Sequence, residues 1–277
     1  LPELPEVETI RWELGKKILN KRIFRVEIFP DSRGIRFLGS YSPADFQQKL
    51  TGRTIKDVRR RGKYLLFSFD SESILAIHLG MTGKLLYRPA DTPADKFVRM
   101  KFVLSNGYEI RFADPRKFGK MFIISPTDDK LMESLGPEPL SPSFTVDYLQ
   151  KVLSRHRKKI KEVLLDQKII AGIGNIYSDE ILFRAKIHPE RSACSLLQEE
   201  IFLLFSAMQE ILRAAIVARG TTAGDRQYLN TTGKPGKFQY RLQVYQRRGQ
   251  ECLRCGRVIV SKKFGGRSGY FCPQCQV

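Results

Sequence analysis

The sequence predicts an α+β fold. A β-rich N-terminal region follows one leading helix, a helical region comes next, and a small cysteine-bearing module closes the chain. Three observations carry this. Short apolar or alternating runs recur between residues 22 and 125. Apolar residues at helical spacing dominate from 144 to 218. Two Cys-x2-Cys knuckles, Cys252/Cys255 and Cys272/Cys275, lie sixteen residues apart near the end.

The opening LPELPEVETIRWELGKKI places Val7, Ile10, Leu14 and Ile18 on one helical face. Pro5 fits the first turn, where its missing N–H costs nothing. Glu6 and Glu8 suit the positive end of the helix dipole. Strands are expected in RIFRVEIF, TIKDVRR, KYLLFSF, ILAIHLG, KLLYR, RMKFVLSNGYEIRF and KMFIIS, with Asn106-Gly107 as a hairpin turn. Residues 126–143 are dense in Pro, Ser and acid and read as a linker. FTVDYLQKVLSRH and IFLLFSAMQEILRAAIVA read as helices, and AGIGNIYSDEILFRAKIHP passes from glycine turns into a third. Residues 219–240 are polar and Gly-rich, and a mobile loop is expected there. The domains are therefore drawn as 1–130, a linker at 131–143, 144–240 and 241–277.

The 277 residues are 42% hydrophobic, enough for real cores. No apolar run reaches the roughly 20 residues that span a bilayer. The acidic start does not read as a secretory signal. Lys and Arg number 48 against 29 Asp and Glu, a net charge of +19. That surplus is spread through folded-looking sequence rather than gathered in a tail, which favours nucleic acid over a membrane surface as partner. VRRRGKYLLF and RHRKKIK are its densest clusters.

Five cysteines argue against a disulfide scaffold. Four of them, Cys252, Cys255, Cys272 and Cys275, have the spacing of a tetrahedral thiolate site for one Zn2+. With every position filled by thiolate, the metal is structural. Cys194 is expected to fill apolar space. The three histidines, His78, His156 and His188, form no metal or triad grouping and read as structural.

The terminus carries the reactive possibility. If Pro2 is the first residue, its α-nitrogen is a secondary amine. Ordinary α-amines titrate near about 7.7–8.0, and a helix N-terminus disfavours the ammonium further. Such an amine is a ready nucleophile toward a sugar C1′, giving an iminium cation. Glu3 is placed to move protons, and Glu6 to orient the amine or a sugar hydroxyl. Leu1 reads as the literal translation of a non-AUG start codon, with the initiating residue trimmed ahead of Pro2. Read from the residues alone, Met81 in HLGMTG and Phe118 in DPRKFG are core side chains.

PELPEVETIR, RRGKYL, HLGMTG, DPRKFG, LGPEPL, LLDQKIIAGIGNIYSDEILFRAKIHP, LQVYQRRGQECLRCG and GRSGYFCPQCQ together resemble the bacterial formamidopyrimidine-DNA glycosylases. The resemblance runs end to end. It implies an N-terminal β-sandwich, a helical domain with a helix–two-turns–helix motif and a zinc-finger hairpin. It also implies double-stranded DNA with an oxidised purine or abasic site, held between the domains of a cytoplasmic, nucleoid-associated monomer. By resemblance, Pro2 is the nucleophile and Glu3 the main proton-transfer group. Lys63, Asn175 and Arg267 are phosphate ligands, and Asp166 and Glu180 supporting acids. Met81, Arg116 and Phe118 fill the void left by an extruded nucleotide, with Arg116 facing the orphaned cytosine. This replaces the core reading of Met81 and Phe118. Residues 219–240 correspond to the loop that closes over the extruded base. Its AGDRQY stretch departs from the family pattern, so no base-contacting residue is assigned there.

Two rivals remain at this point. The endonuclease VIII-like branch acts on oxidised pyrimidines but begins PEGPE, where this chain has PELPE. A noncatalytic damaged-DNA-binding protein would share the charge but leave no covalent product.

Overall fold

The computed structural model describes residues 2–29, 37–125, 130–224 and 228–277. The chain divides into two compact units, residues 1–130 with 218–239, and residues 131–217 with 240–277. Segment 218–239 follows the helices in sequence yet packs with the first unit.

In the first unit, helix α1 (Leu4–Ile18) is followed by β1 (Ile23–Ile28), α2 (Pro43–Leu50), β2 (Ile55–Arg61), β3 (Tyr64–Phe69) and β4 (Ile74–His78). Strands β5 (Lys84–Pro89), β6 (Val98–Leu104), β7 (Tyr108–Ala113) and β8 (Lys120–Ile124) complete it. They form two four-stranded sheets, ordered β1-β6-β7-β5 and β2-β3-β4-β8. The paired strands are antiparallel throughout. Inward residues of both sheets, such as Met100, Phe102 and Ile110 from one and Leu65, Phe67 and Ile77 from the other, share one core. Val7, Ile10, Leu14 and Ile18 add the apolar face of α1. This is the sandwich with a leading helix that the resemblance implied. Asn106-Gly107 turns the β6–β7 hairpin, with Gly107 at φ +78°. Helix α2 was not expected from the sequence. Ser42 caps it by accepting the Asp45 N–H at 3.1 Å, and Pro43 starts its first turn.

The second unit contains α3 (Lys130–Glu133, at the junction), α4 (Val146–Leu153), α5 (Ile160–Leu165), α6 (Asn175–Ala185) and α7 (Gln198–Val217). The hairpin β9 (Val260–Phe264) and β10 (Arg267–Phe271) follows. Helix α6 packs against α5, α7 and β10 and is buried almost throughout. Residues 135–139 are not a free tether. Gly136 N–H donates to the Gln167 carbonyl at 2.9 Å, and Ala171 N–H to the Pro137 carbonyl at 3.1 Å. A Cβ on Gly136 would stand 2.3 Å from the Ile169 carbonyl oxygen, so glycine permits this backbone contact.

Two further expectations are corrected. Segment 219–240 was expected to be mobile, yet Thr221, Thr222, Asn230 and Thr231 are buried: Thr221, Asn230 and Thr231 donate to the Glu6 and Glu13 carboxylates of α1, and the Thr222 hydroxyl donates to the Tyr228 carbonyl. Residues 225–227 lie outside the described residues. Cys194 does not fill core space; it is exposed on a 3-10 turn, Ala193–Ser195. Part of the RHRKKIK cluster is engaged within the fold. Lys161 is fully buried against Asp179, and Lys159 pairs with Glu190 at 2.6 Å.

Candidate functional site

Pro2 is buried and directly precedes Glu3, the N-cap of α1. Pro5 stands within the first turn, which fixes φ where the helix needs it. Glu3 and Glu6 are each 1% exposed. Glu6 Oε2 accepts the Glu3 N–H at 2.8 Å, satisfying a helix-start donor that would otherwise be orphaned. Its other oxygen accepts the Thr221 N–H at 2.6 Å. Gly220, at φ +80°, passes so close that a Cβ there would meet Glu6 Oε1 at 2.7 Å. The arrangement sets a buried Pro2 directly before the positive end of a helix whose N-cap and first turn carry two buried carboxylates. Leu1 lies outside the described residues.

Lys63 is 8% exposed and follows Gly62, whose φ of +56° turns β2 into β3. Beside it, His78 is pushed down to about 4 by burial, with the Lys63 and Lys120 cations adding to the effect. Its neutral ring accepts the Gly80 N–H on Nδ1 at 3.1 Å, anchoring the turn that carries Met81.

Met81 and Phe118 are 41% and 48% exposed, so neither belongs to the core. The Arg116 guanidinium stands 4.9 Å from the Phe118 ring centroid. Their two turns are locked together from below. Gly80 has φ +60°, and a Cβ there would come within 2.4 Å of the Phe118 carbonyl carbon. Asp114 is fully buried; it accepts the Thr82 hydroxyl, the Arg116 N–H at 3.2 Å and the Gly119 N–H at 2.8 Å. The structure thus brings the three void-filling candidates onto adjacent, rigid turns with apolar tips facing solvent.

In the second unit, Asn175 opens α6, whose first turn carries no acid. Asn175 Nδ2 donates to the Ser268 carbonyl at 2.8 Å, which ties the helix start to the residue next to Arg267. Arg267 itself is exposed; helix N-termini and guanidinium groups are both suited to anions. Beneath it, Lys161 Nζ donates to Asp179 Oδ1 and, at 3.0 Å, to the Ser178 hydroxyl. Asp179 Oδ2 accepts the Tyr270 N–H at 3.0 Å, joining α5, α6 and β10. Burial raises Asp179 to about 7 against the pull of Lys161.

The supporting acids are placed differently from one another. Glu180 accepts the N–H groups of Gln243, Val244 and Tyr245 at 2.9–3.0 Å, clamping the entry to the finger. Asp166 ends α5 and accepts the Lys168 N–H at 3.0 Å. The Cys252, Cys255, Cys272 and Cys275 sulfurs all lie within 4.8 Å of one another. Thiolates about 2.3 Å from a tetrahedral zinc stand roughly 3.8 Å apart. Cys252–Cys275 at 3.9 Å and Cys255–Cys272 at 3.5 Å match that spacing, so the set suits one structural zinc ion.

Glu13, Asp114, Lys161 and Asp179 were not singled out as supports from the residues alone. Only the Asp-Pro turn at 114–115 hinted at a capping role for one of them.

The first 121 residues match the family model "Formamidopyrimidine-DNA glycosylase N-terminal domain". Residues 135–227 match the H2TH domain of the same enzymes, and 249–277 the "Zinc finger found in FPG and IleRS". The formamidopyrimidine-DNA glycosylase of Pelotomaculum thermopropionicum is 43% identical, with 100% of this chain and 99% of that protein covered. That of Carboxydothermus hydrogenoformans is 43% identical over the whole of both chains. Solved structures of the Lactococcus lactis FPG are 38% identical over 99% of each chain; TM-scores are 0.90 with abasic-site DNA and 0.89 with Fapy-dG DNA. Another, with oxidised-pyrimidine DNA, also scores 0.89. A sandwich with a prolyl helix start, an H2TH domain and a four-thiolate finger together define a base-excision DNA glycosylase. Within that class, the chain belongs to the formamidopyrimidine-DNA glycosylase family.

Proposed function

We propose that this protein releases oxidised purines from double-stranded DNA and then cleaves the strand, using Pro2 as first residue and nucleophile. The carrying observation is a buried Pro2 directly before the N-cap of α1, with the Glu3 and Glu6 carboxylates buried at the same helix start. The Pro2 nitrogen attacks C1′ and the glycosidic C–N bond breaks, the base leaving with a proton. The C1′–O4′ bond then opens; O4′ takes a proton from Glu3, and a C1′ iminium remains on Pro2. That cation acidifies C2′–H. Loss of this proton expels the 3′ phosphate, and a further elimination expels the 5′ phosphate. Water adds to the remaining iminium, and its hydrolysis frees the sugar fragment as an aldehyde and returns the Pro2 amine.

Lys63 in the first unit, and Asn175 with Arg267 in the second, serve as phosphate ligands. Met81, Arg116 and Phe118 take the space of the extruded nucleotide. Glu180 and Asp166 support the helical domain. The four cysteines hold one zinc, which supplies folding free energy to the finger. The protein works as a monomer on nucleoid DNA in the cytoplasm; no described helix is long and apolar enough to cross a membrane. Oxidised pyrimidines are a second substrate reading, favoured by the Lactococcus lactis complex with such DNA.

Borohydride trapping tests the chemistry. Protein whose mass shows Pro2 as first residue is expected to form a covalent adduct with 8-oxoguanine duplex. Absence of an adduct from such protein rules out the iminium route and leaves the noncatalytic reading. Parallel excision of thymine glycol measures the second substrate reading.

A further inference from the structure

Glu13 follows Glu6 by seven residues, about two helical turns, so both carboxylates project from one side of α1. Both are buried, and each grips segment 218–239. Glu6 holds Thr221 on the near arm. On the far arm, Glu13 Oε1 accepts Asn230 Nδ2 at 3.0 Å, while Oε2 accepts the Thr231 N–H at 3.0 Å and the Thr231 hydroxyl at 2.6 Å. Arg219 Nη1, on the near arm, stands 3.6 Å from Glu13 Oε1. One carboxylate therefore ties both arms to the helix that starts beside Pro2.

The far arm is held from its other side as well. The Thr231 carbonyl accepts the Tyr87 N–H of β5 at 2.9 Å. Asn230 Oδ1 closes the turn by accepting the Thr232 and Lys234 N–H groups at 3.1 and 2.8 Å. Helix α1 does not need Glu13 for its own packing, since Val7, Ile10, Leu14 and Ile18 supply its core face. A buried acid on a helix otherwise carries a desolvation cost without return.

We propose that Glu13 is a positioning residue for base release. It fixes the arms 219–224 and 228–234 relative to Pro2, and so sets how firmly an extruded oxidised base is held. This rests on the proposed function together with the family resemblance, which implies that segment 219–240 closes over that base. An abasic site presents no base, so its cleavage does not call on the arms.

Glu13→Gln keeps the volume of the side chain but turns an NH2 donor toward donors. Parent and variant are compared on an 8-oxoguanine duplex and on the same duplex with a preformed abasic site. The parent's own release of 8-oxoguanine is measured first and tests the underlying reading separately. For the variant, kcat/KM for base release is expected to fall about ten-fold, while abasic-site cleavage stays within about two-fold. Thr231→Val, which removes only the hydroxyl donor, is expected to show the same split more weakly. Equal losses on both substrates, or no loss on either, would overturn the proposal.

Discussion

His78 shows how one residue reports its surroundings. Its ring is held neutral by burial and by two lysines, and its Nδ1 accepts the Gly80 N–H. The folded value, about 4, lies below the ordinary 6.5. The stabilisation is therefore complete above pH 6.5 and is lost as pH falls from 6.5 through 4. Over that window the loss is at most on the order of 3 kcal/mol. Urea titrations at stepped pH should show this slope in the parent, and a shallower one in His78→Asn, which keeps an acceptor but no titrating ring. Little of this was legible in sequence. A lone histidine in HLGMTG indicates neither burial nor the lysines around it. Met81 and Phe118 were misread from residue type alone for the converse reason: apolar character favours burial, but glycine-bounded turns can hold such side chains outward.

At the scale of elements, the turns beneath Met81 and Phe118 depend on a single absent methyl group. Gly80→Ala would place Cβ against the Phe118 backbone at a φ of +60°. It should lower stability by roughly 1–3 kcal/mol, seen in the urea midpoint. Gly107→Ala is the control, because nothing lies within 4 Å of its Cβ and only the positive φ is strained; its loss should be the smaller. The finger is a second such element. Its apolar cluster is small, comprising Phe183, Val244, Cys252, Ile259 and Cys272 with Tyr270 and Cys275 against it. Cys272→Ala is therefore expected to abolish zinc content and hydrogen-exchange protection of β9 and β10, while the β6–β7 hairpin keeps its protection. The Asn106-Gly107 hairpin and the knuckles were legible because both are short-range patterns. Helix α2 was legible in principle from Ser42-Pro43-x-Asp45. The packing of Gly136 was not, because its partner lies about thirty residues away.

For the whole molecule, the +19 charge is only partly available to a polyanion. Arg60 is engaged by Glu8, Arg111 by Glu109 and Asp95, and Lys159 and Lys262 share Glu190. The exposed Arg116 and Arg267 remain suited to phosphate or base edges. Duplex affinity should therefore fall steeply with salt, each neutralised phosphate adding about 0.9 to the slope of log K against log salt. Arg267→Ala should reduce that slope by about 1. An unchanged slope would remove Arg267 from the phosphate ligands. Composition announced the sign of the partner's charge, but the pairing of individual cations depended on neighbours that the sequence does not place side by side.

By itself the sequence determined the leading helix at Pro2, the run of strands and the longer helices, the four zinc thiolates and the polyanionic partner. Each of these follows from local spacing or from total charge, which need no knowledge of distant neighbours. The tertiary structure alone decided that segment 218–239 returns to α1 through Glu6 and Glu13, and that Lys161 and Asp179 brace the finger. It also decided that Asp114 holds the two exposed turns. Those roles arise where buried charges must find donors, and the donors come from residues far away in the chain.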